Sequence, residues 1–124
     1  LILLYGGRSA DYCFDLKYFK EAGCEVHAAT DDGSVGKKGR VSVLFDEIPD
    51  DAGAAVIYTC GPGPMMKSVQ AFAKEKAIPG ECSCEEVMAC GTGACRGCAV
   101  DTIHGIKTAC HDGPVFDLQE VIFK

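Results

Sequence analysis

Several hallmarks of common protein classes are missing from this 124-residue chain. It does not begin with methionine, contains no G-x-G-x-x-G motif, and has no apolar run near the roughly 20 residues that a membrane-spanning helix needs. Basic residues (12) are outnumbered by acidic ones (18), which leaves a formal net charge of −6. A nucleic-acid backbone binds to a basic surface, so this balance argues against such a partner. We therefore expect no nucleic-acid partner and no membrane partner.

The apolar opening segment, residues 1–5, also lacks the features of a signal peptide. It is too short for the apolar region of one, and no basic segment precedes it. A uniformly apolar run that ends at Gly6 and Gly7 is instead typical of a strand buried on both faces. Because the chain starts inside this strand, we expect it to be a fragment of a longer protein.

An alternation of strand and helix patterns runs to about residue 84. Apolar runs predict strands at 1–5, 24–29, 54–59 and 78–84, and helical spacing predicts helices at about 11–22 and over 64–73. Residues 40–48 fit a short strand or a short helix, with helix favoured, before a break at Pro49-Asp50-Asp51. This order predicts an α/β fold with a partial Rossmann-like parallel sheet covered by helices.

The 9 cysteines are distributed unevenly, with 6 of them between residues 82 and 110. An odd number excludes complete internal disulfide pairing, and a late cluster in an otherwise ordinary chain is typical of a metal module in a reducing compartment. We therefore expect a cytoplasmic protein. Short strands at 99–102 and 106–108, with His104-Gly105 at the turn, predict a hairpin inside this cysteine-rich region.

The proposed metal ligands are Cys90, Cys95, Cys98 and Cys110, which form C-x4-C-x2-C followed by a distant fourth cysteine. This is the plant-type spacing of a [2Fe-2S] cluster. Its loop must fold over the cluster and aim backbone N–H groups at the sulfurs, and glycines within it allow the unusual dihedral angles. The glycines are Gly91, Gly93 and Gly97.

Two other interpretations of the cysteines stay open. Four cysteines also hold structural zinc, although such sites usually show two short paired spacings and only one is present here. The cysteines could also be plain thiols. Cys82 and Cys84 are interpreted as small buried side chains that point to opposite faces of a strand, not as ligands.

Three predicted strand ends carry turn segments that suit a nucleotide: residues 6–9, 30–34 and 60–64. In an open α/β sheet, ligands bind beyond the carboxyl ends of the strands. Arg8 is a candidate for a phosphate, and Asp31 with Asp32 for ribose hydroxyls. The alternative is that all of these are ordinary turn residues.

Taken together, these segments resemble a known family. They are Gly6-Gly7-Arg8, residues 29–34, Cys60-Gly61-Pro62 with the residues up to Met66, the loop 88–98, and the tail 110–116. The series is similar to the C-terminal half of the electron-transfer subunit of NAD-dependent dihydroorotate dehydrogenase, in the ferredoxin–NADP reductase superfamily. His111 stands between the cysteine and the aspartate of the tail motif.

The resemblance implies a relay without catalytic acid or base residues. In the family, FAD and NAD in the full-length subunit exchange electrons through a [2Fe-2S] cluster with an FMN-containing dihydroorotate dehydrogenase catalytic subunit, in a heterotetramer of pyrimidine biosynthesis. Residues 1–84 then correspond to the C-terminal part of a NAD-binding domain, and 85–124 to the cluster-binding module. The turn at Cys60, Gly61 and Pro62 is placed near the nicotinamide and flavin, with Gly6, Arg8, Asp31 and Asp32 on the nucleotide side.

One difference from the family limits what the resemblance implies for this chain. The flavin-binding barrel and the first strand and phosphate-binding turn of the nucleotide domain are not in this chain, so we expect it not to bind FAD, to bind NAD poorly and to be inactive alone. An electron-transfer subunit of another NAD(P)H-linked oxidoreductase, of the sulfide or ferredoxin–NADP type, and a zinc-stabilised binding module remain alternatives. The ferredoxin-linked relatives tend to carry Asp at the position of Cys90, so the four cysteines favour the dihydroorotate enzyme.

Overall fold

A computed structural model describes residues 1–49 and 55–124 of the chain. It divides into two compact units, Leu1–Ala52 and Gly53–Lys124. The predicted break at Asp50-Asp51 and the first residue of the third predicted strand, Ala54, lie outside the described residues. In the described part of the chain, no helix is long and apolar enough to cross a membrane.

The first unit contains a parallel three-stranded sheet in the order β1-β2-β3. Strand β1 (Ile2–Gly7) pairs with β2 (Glu25–Thr30) from Ile2↔Glu25 to Gly7↔Thr30, and β2 pairs with the short β3 (Lys37–Lys38). A 3₁₀ helix at Val41–Glu47 buries Val41 and Leu44, which confirms a helix in this segment.

The first predicted helix is shorter than expected. The segment predicted as one helix over 11–22 is a 3₁₀ turn at Ala10–Tyr12 followed by α1, a six-residue helix at Leu16–Glu21. Asp15 separates them because its backbone takes a left-handed conformation, with φ of 60°. Phe14 and Tyr18 are 61% and 68% exposed, so the aromatic residues that suggested a buried helical face do not form one.

The second unit contains strand β4 (Ile57–Cys60), helix α2 (Gly63–Glu75) and strand β5 (Gly80–Ser83). Strands β4 and β5 are parallel, as predicted, and β8 (Val115–Asp117) joins the other side of β5 in antiparallel register. Met66, Val69 and Ala73 are the buried residues of α2 and recur at helical spacing, which fixes the face that the helix turns inward. The proline at Pro64 suits the first turn.

The predicted hairpin is present in the second unit. Strands β6 (Ala99–Thr102) and β7 (Gly105–Thr108) pair antiparallel, from Ala99↔Thr108 to Thr102↔Gly105. The turn requires Gly105, whose φ of +99° is strained for other residues. The chain end runs beside β6: Ile103 N–H donates to Glu120 O at 2.9 Å, and Ile122 N–H donates to Asp101 O at 2.8 Å.

The core of the second unit lies between α2, β5 and the segment after β8. Leu118 is fully buried, and a Cβ at Gly80 would lie only 2.9 Å from the Ile57 carbonyl oxygen and 3.1 Å from Leu118 Cδ2. The Gln70 side chain of α2 donates to the carbonyl oxygens of Leu118 at 2.5 Å and Val121 at 2.8 Å. This glutamine therefore joins the helix to the chain end.

The parallel sheet expected from the sequence is present as parallel strand pairs within each unit. The described residues form two separate three-stranded sheets and a two-stranded hairpin, and the sheet of the second unit is mixed because β8 is antiparallel. The coarser prediction, an α/β chain with parallel strand pairs, is confirmed.

Cys82 and Cys84 are buried as expected, at 1% and 5% exposure. The prediction that they point to opposite faces is wrong, because side chains two residues apart share a face of an extended chain. Their thiols interact with each other, and burial raises the pKa of Cys82 to about 12. Both are therefore poor thiolates at neutral pH.

Candidate metal centre

The loop that carries Cys90, Cys95 and Cys98 has no strand or helix and is shaped by unusual backbone angles. Gly91 and Gly93 have φ of 68° and 82°, and Arg96 has φ of 55°. This left-handed region is open to glycine but costs other residues about 1–2 kcal/mol. The backbone is thereby turned repeatedly, so that successive amides face the cysteine sulfurs.

Backbone amides of the loop and of Cys110 donate hydrogen bonds to the Sγ atoms of all four predicted ligands. The Thr92 and Cys95 amides lie 3.4 and 3.5 Å from Cys90 Sγ. The remaining donors are Gly97 to Cys95 at 3.3 Å, Cys110 to Cys98 at 3.4 Å and Gly93 to Cys110 at 3.2 Å. Amides aimed at sulfur stabilise negative charge on it, and such hydrogen bonds are a main determinant of iron–sulfur reduction potentials.

The hairpin brings the third and fourth cysteines together although 11 residues separate them in the sequence. Cys98 immediately precedes β6 and Cys110 follows β7 closely, so strand pairing places them side by side. The Ala109 amide donates to the Cys98 carbonyl at 2.9 Å, which extends the pairing by one step toward the loop. Cys98 is 1% exposed, whereas Cys90 and Cys95 are exposed.

The electrostatics of the thiols follow from these amides. Hydrogen bonds from the Cys95 and Thr92 amides lower the pKa of Cys90 to about 5. The Cys110 amide lowers the pKa of Cys98, while the pKa of Cys110 is raised because its thiol hydrogen-bonds to Cys98 and is partly desolvated. The Cys90 charge also raises the pKa of Cys110, so the two ends of the ligand set lie within electrostatic reach of each other.

The turn around Cys110 is closed by the flanking residues Thr108 and Asp112. The Asp112 Oδ2 atom accepts from the Thr108 amide at 2.7 Å and from the Thr108 hydroxyl at 2.9 Å. In return, the Thr108 carbonyl accepts from the amides of His111 at 3.2 Å and Asp112 at 2.8 Å. The two hydrogen bonds from Thr108 to the carboxylate lower the pKa of Asp112 to about 2, so this carboxylate is charged at neutral pH.

The donor chemistry of the four thiols suits an iron–sulfur cluster. A tetrahedral zinc site needs four sulfurs about 2.3 Å from one point, and no group of three or more His, Cys, Asp or Glu side chains in the described ranges is placed to hold one metal ion. A [2Fe-2S] cluster divides its thiolates between two irons, so the ligands stand further apart. The thiolate-favouring amides and the donor chemistry suit such a cluster.

The turn at Cys60, Gly61 and Pro62 connects β4 to α2 in the same unit. The Cys60 thiol is exposed and donates to Glu85 Oε1 at 3.7 Å, and partial burial together with that carboxylate raises its pKa. Gly61 and Pro62 line a cavity of about 400 Å³ that also contacts Glu85, Asp101 and Phe123. Small-molecule sites have volumes of about 300–1,000 Å³.

The other nucleotide candidates lie at the carboxyl edge of the first unit's sheet. The Asp31 amide donates to Gly7 O and the Asp32 amide to Arg8 O, at 3.1 and 3.3 Å, so these two segments are adjacent as predicted. Asp32 also serves the loop itself, since Oδ1 accepts from the Ser34 amide at 2.9 Å and from its hydroxyl at 2.6 Å.

The remaining two candidates, Gly6 and Arg8, have local contacts as well. A Cβ at Gly6 would lie 3.0 Å from Val41 Cβ, so this glycine allows the 3₁₀ helix to pack against β1. The Arg8 guanidinium stands 5.9 Å from the centre of the Tyr12 ring.

Sequence reasoning missed several residues that shape the site. Glu85 beside Cys60, the Thr108–Asp112 pair around Cys110, and Gln70 on the chain end were not among the candidates. A threonine and an aspartate four residues apart and centred on a ligand cysteine were a readable signal. No sequence signal links Gln70 to residues 48 and 51 positions later.

Comparison with known proteins confirms the resemblance stated from the sequence. Residues 85–122 match the family described as the iron–sulfur cluster binding domain of dihydroorotate dehydrogenase B. The electron transfer subunit of dihydroorotate dehydrogenase B (NAD(+)) from Desulforamulus reducens is 44% identical over 110 residues, which cover 86% of this chain and 42% of that protein. The Aquifex aeolicus homolog is 36% identical over 123 residues, covering 98% and 47%.

A solved structure extends the likeness to the fold. A chain from the structure of an NADH-dependent reduced ferredoxin-NADP oxidoreductase, reported in connection with flavin-based electron bifurcation, superposes with a TM-score of 0.80 at 34% identity. The superposition covers 98% of this chain and 43% of that chain. The present chain thus spans less than half the length of the proteins it matches.

Proposed function

We propose that this protein, which resembles part of the dihydroorotate dehydrogenase B electron transfer subunits, carries a [2Fe-2S] electron relay. Cys90, Cys95, Cys98 and Cys110 are its ligands. The cluster supplies one-electron transfer between the flavin side and an acceptor, and no acid or base residue is needed. Residues 85–124 form the relay module, and residues 1–84 belong to the nucleotide-binding part.

The observation that carries the proposal is the set of amides directed at the four sulfurs. Each ligand Sγ accepts at least one backbone N–H at 3.2–3.5 Å. A disulfide or a plain buried thiol has no use for several convergent amide donors, whereas cluster thiolates do. The match of residues 85–122 to an iron–sulfur domain family supports the same conclusion.

The rest of the proposed assembly is what the family resemblance implies. In the full-length protein, FAD and NAD exchange electrons with the cluster, and the partner is an FMN-containing dihydroorotate dehydrogenase catalytic subunit in a cytoplasmic heterotetramer of pyrimidine biosynthesis. The turn Cys60-Gly61-Pro62 is the nicotinamide and flavin side, because it borders the 400 Å³ cavity. Gly6, Arg8, Asp31 and Asp32 form the nucleotide side.

The test is the iron and acid-labile sulfide content of anaerobically purified protein, with visible spectra before and after dithionite. We expect two irons and two sulfides per chain and a red-brown absorbance that bleaches on reduction. Zinc, or no metal after reconstitution with iron and sulfide, would contradict the proposal.

Two variants assign the ligands. Cys95→Ser removes a proposed ligand and should abolish the visible absorbance. Cys82→Ser is the matched control, because Cys82 is buried in β5 with a pKa of about 12 and should leave the absorbance intact. Loss of colour in the Cys82 variant would refute the ligand assignment.

A second candidate is an electron-transfer subunit of the ferredoxin–NADP type, supported by the solved structure with a TM-score of 0.80. The two candidates share the module and differ in the partner. Co-purification of the full-length subunit with an FMN-containing catalytic subunit, and reduction of the cluster by dihydroorotate in that complex, would favour the first. Reduction only through a ferredoxin would favour the second.

A further inference from the structure

Cys110 lies at the centre of a five-residue turn that is tied at both ends by side-chain and backbone bonds. Asp112 Oδ2 accepts from the Thr108 amide at 2.7 Å and from the Thr108 hydroxyl at 2.9 Å. The Asp112 amide donates back to the Thr108 carbonyl at 2.8 Å. Thr108 and Asp112, two residues before and two residues after the cysteine, are therefore joined by three hydrogen bonds.

The anchor of this turn is firmly buried. Thr108 is 6% exposed and Ala109 is fully buried, while Thr108 ends β7 and pairs with Ala99 of β6. Asp112 lies at the exposed end and reaches back to Thr108 through its carboxylate. Its other oxygen, Oδ1, lies 3.3 Å from His111 Nδ1.

The turn determines where the Cys110 backbone and side chain point. The Cys110 amide donates to Cys98 Sγ at 3.4 Å, and Cys110 Sγ accepts from the Gly93 amide at 3.2 Å. Both contacts are made by Cys110, the central residue of the turn that Thr108 and Asp112 close. If the turn opened, the Cys110 amide would lose its direction toward Cys98 and the Cys110 sulfur would move away from the loop.

We propose that Asp112 is a positioning residue for the cluster: through Thr108 it holds the Cys110 amide on Cys98 Sγ, and it thereby sets the reduction potential and the retention of the cluster. The inference rests on the proposed [2Fe-2S] function. Residues that orient metal ligands usually change metal affinity about 10- to 100-fold when they are mutated.

Two substitutions separate position from charge. Both Asp112→Asn and Asp112→Ala remove the negative charge beside the cluster, but asparagine keeps an oxygen that accepts from Thr108. Removing the charge alone favours the reduced cluster in both variants equally. Only alanine also loosens the amide on Cys98 Sγ, and this disfavours the more negative reduced state.

The measurement is the midpoint potential of each reconstituted variant, followed by optical titration, together with the rate of cluster loss to an iron chelator. We expect the alanine variant to have a more negative potential than the asparagine variant and to lose its cluster about 10-fold faster. Thr108→Val removes the hydroxyl donor and keeps the Asp112 charge, so it should give a more negative potential and faster cluster loss than the unsubstituted chain. Thr108→Ser should restore both values.

Asp117→Ala is the matched control. Asp117 accepts from the Gln119 amide at 2.7 Å in a similar side-chain-to-backbone bond, but its turn holds no cluster ligand. A purely structural role for Asp112 predicts that both alanine variants lower thermal stability and that Asp112→Ala has the same potential as Asp112→Asn.

Equal potentials and equal cluster lifetimes for Asp112→Ala and Asp112→Asn would overturn the inference while leaving the relay intact. Failure of the unsubstituted chain to take up two irons and two sulfides would instead overturn the relay and this inference together. An alanine variant that does not fold is distinguished by far-ultraviolet circular dichroism, and the Thr108→Val and Thr108→Ser pair then decides the question.

Discussion

The amide of Gly93 donates a hydrogen bond to Sγ of Cys110, a residue 17 positions later in the chain. This contact connects the loop that carries the first three ligands to the turn that carries the fourth. Gly93 achieves it with a φ of +82°, and a Cβ at this position would stand 3.2 Å from His111 Cβ. Backbone angle and close approach therefore both require glycine here.

Replacing Gly93 with alanine should lower the amount of cluster held per chain. The new Cβ pushes against His111 and displaces the amide that faces Cys110, in addition to about 1–2 kcal/mol of backbone strain. Iron content after anaerobic reconstitution measures the effect, and we expect a clear shortfall from two irons per chain.

Gly105→Ala separates the effect of backbone strain from the effect of displacing the amide that faces Cys110. Gly105 also has a positive φ, +99°, but a Cβ there would meet nothing within 4 Å. We expect this variant to lose a few degrees of thermal stability and to keep full iron content. A similar iron loss in both variants would show that general strain, not the contact with Cys110, explains the result.

The low pKa of Cys90, about 5, predicts selective alkylation of the metal-free chain. Above pH 5 the exposed Cys90 is a thiolate and should react with iodoacetamide at pH 6.5, while the buried Cys82, with a pKa of about 12, should not. Peptide mass spectrometry gives both rates. If Cys90 reacts no faster in the folded chain than in urea, the amide contacts to its sulfur are absent.

The same shift gives the sign of a stability effect in the metal-free chain. The pKa of Cys90 lies below the ordinary thiol value of 9.0, so its thiolate stabilises the folded state fully above pH 9. That contribution declines as the pH falls from 9 toward 5 and is absent below about 5. The urea midpoint should therefore decrease as the pH is lowered from 9 to 5. Cys90→Ala should remove this part of the pH dependence.

Leu118→Ala should destabilise the second unit by about 2–5 kcal/mol, because Leu118 is fully buried and its removal leaves a cavity against Gly80. Urea denaturation compared with the unsubstituted chain in the same metal state measures the loss. Val115→Ala, in β8 and 50% exposed, is the control and should change the free energy of unfolding little.

Local patterns in the sequence predicted local structure well. Helical spacing of Met66, Val69 and Ala73 predicted α2, and the turn at His104-Gly105 predicted the β6–β7 hairpin. The helix predicted over 11–22 is interrupted because Asp15 adopts a left-handed backbone that the aromatic pattern does not reveal. The two-residue β3 and the three-residue β8 are too short to be recognised without their distant partners, Ala29 and Cys82 among them.

The ligand cysteines could be proposed from their spacing, but their surroundings could not. Amide donors such as Gly93 depend on dihedral angles and on how close the hairpin comes to the loop. The prediction that Cys82 and Cys84 point to opposite faces is wrong because residues two apart in an extended chain lie on the same face. The Asp112 bond to Thr108 depends on the turn between them, which only the structure shows.

The hydrogen bonds of Gln70 to Leu118 and Val121 bear on the consequences of proteolytic cleavage near the end of the sequence. The segment 118–122 is hydrogen-bonded to α2 on one side and to β6 and the residue after it on the other. Strand β6 begins directly after Cys98. A protease that cut within this segment would remove the brace of the strand that follows a ligand cysteine without touching any cysteine. Damage of this kind would release iron from a chain whose ligand set is chemically intact.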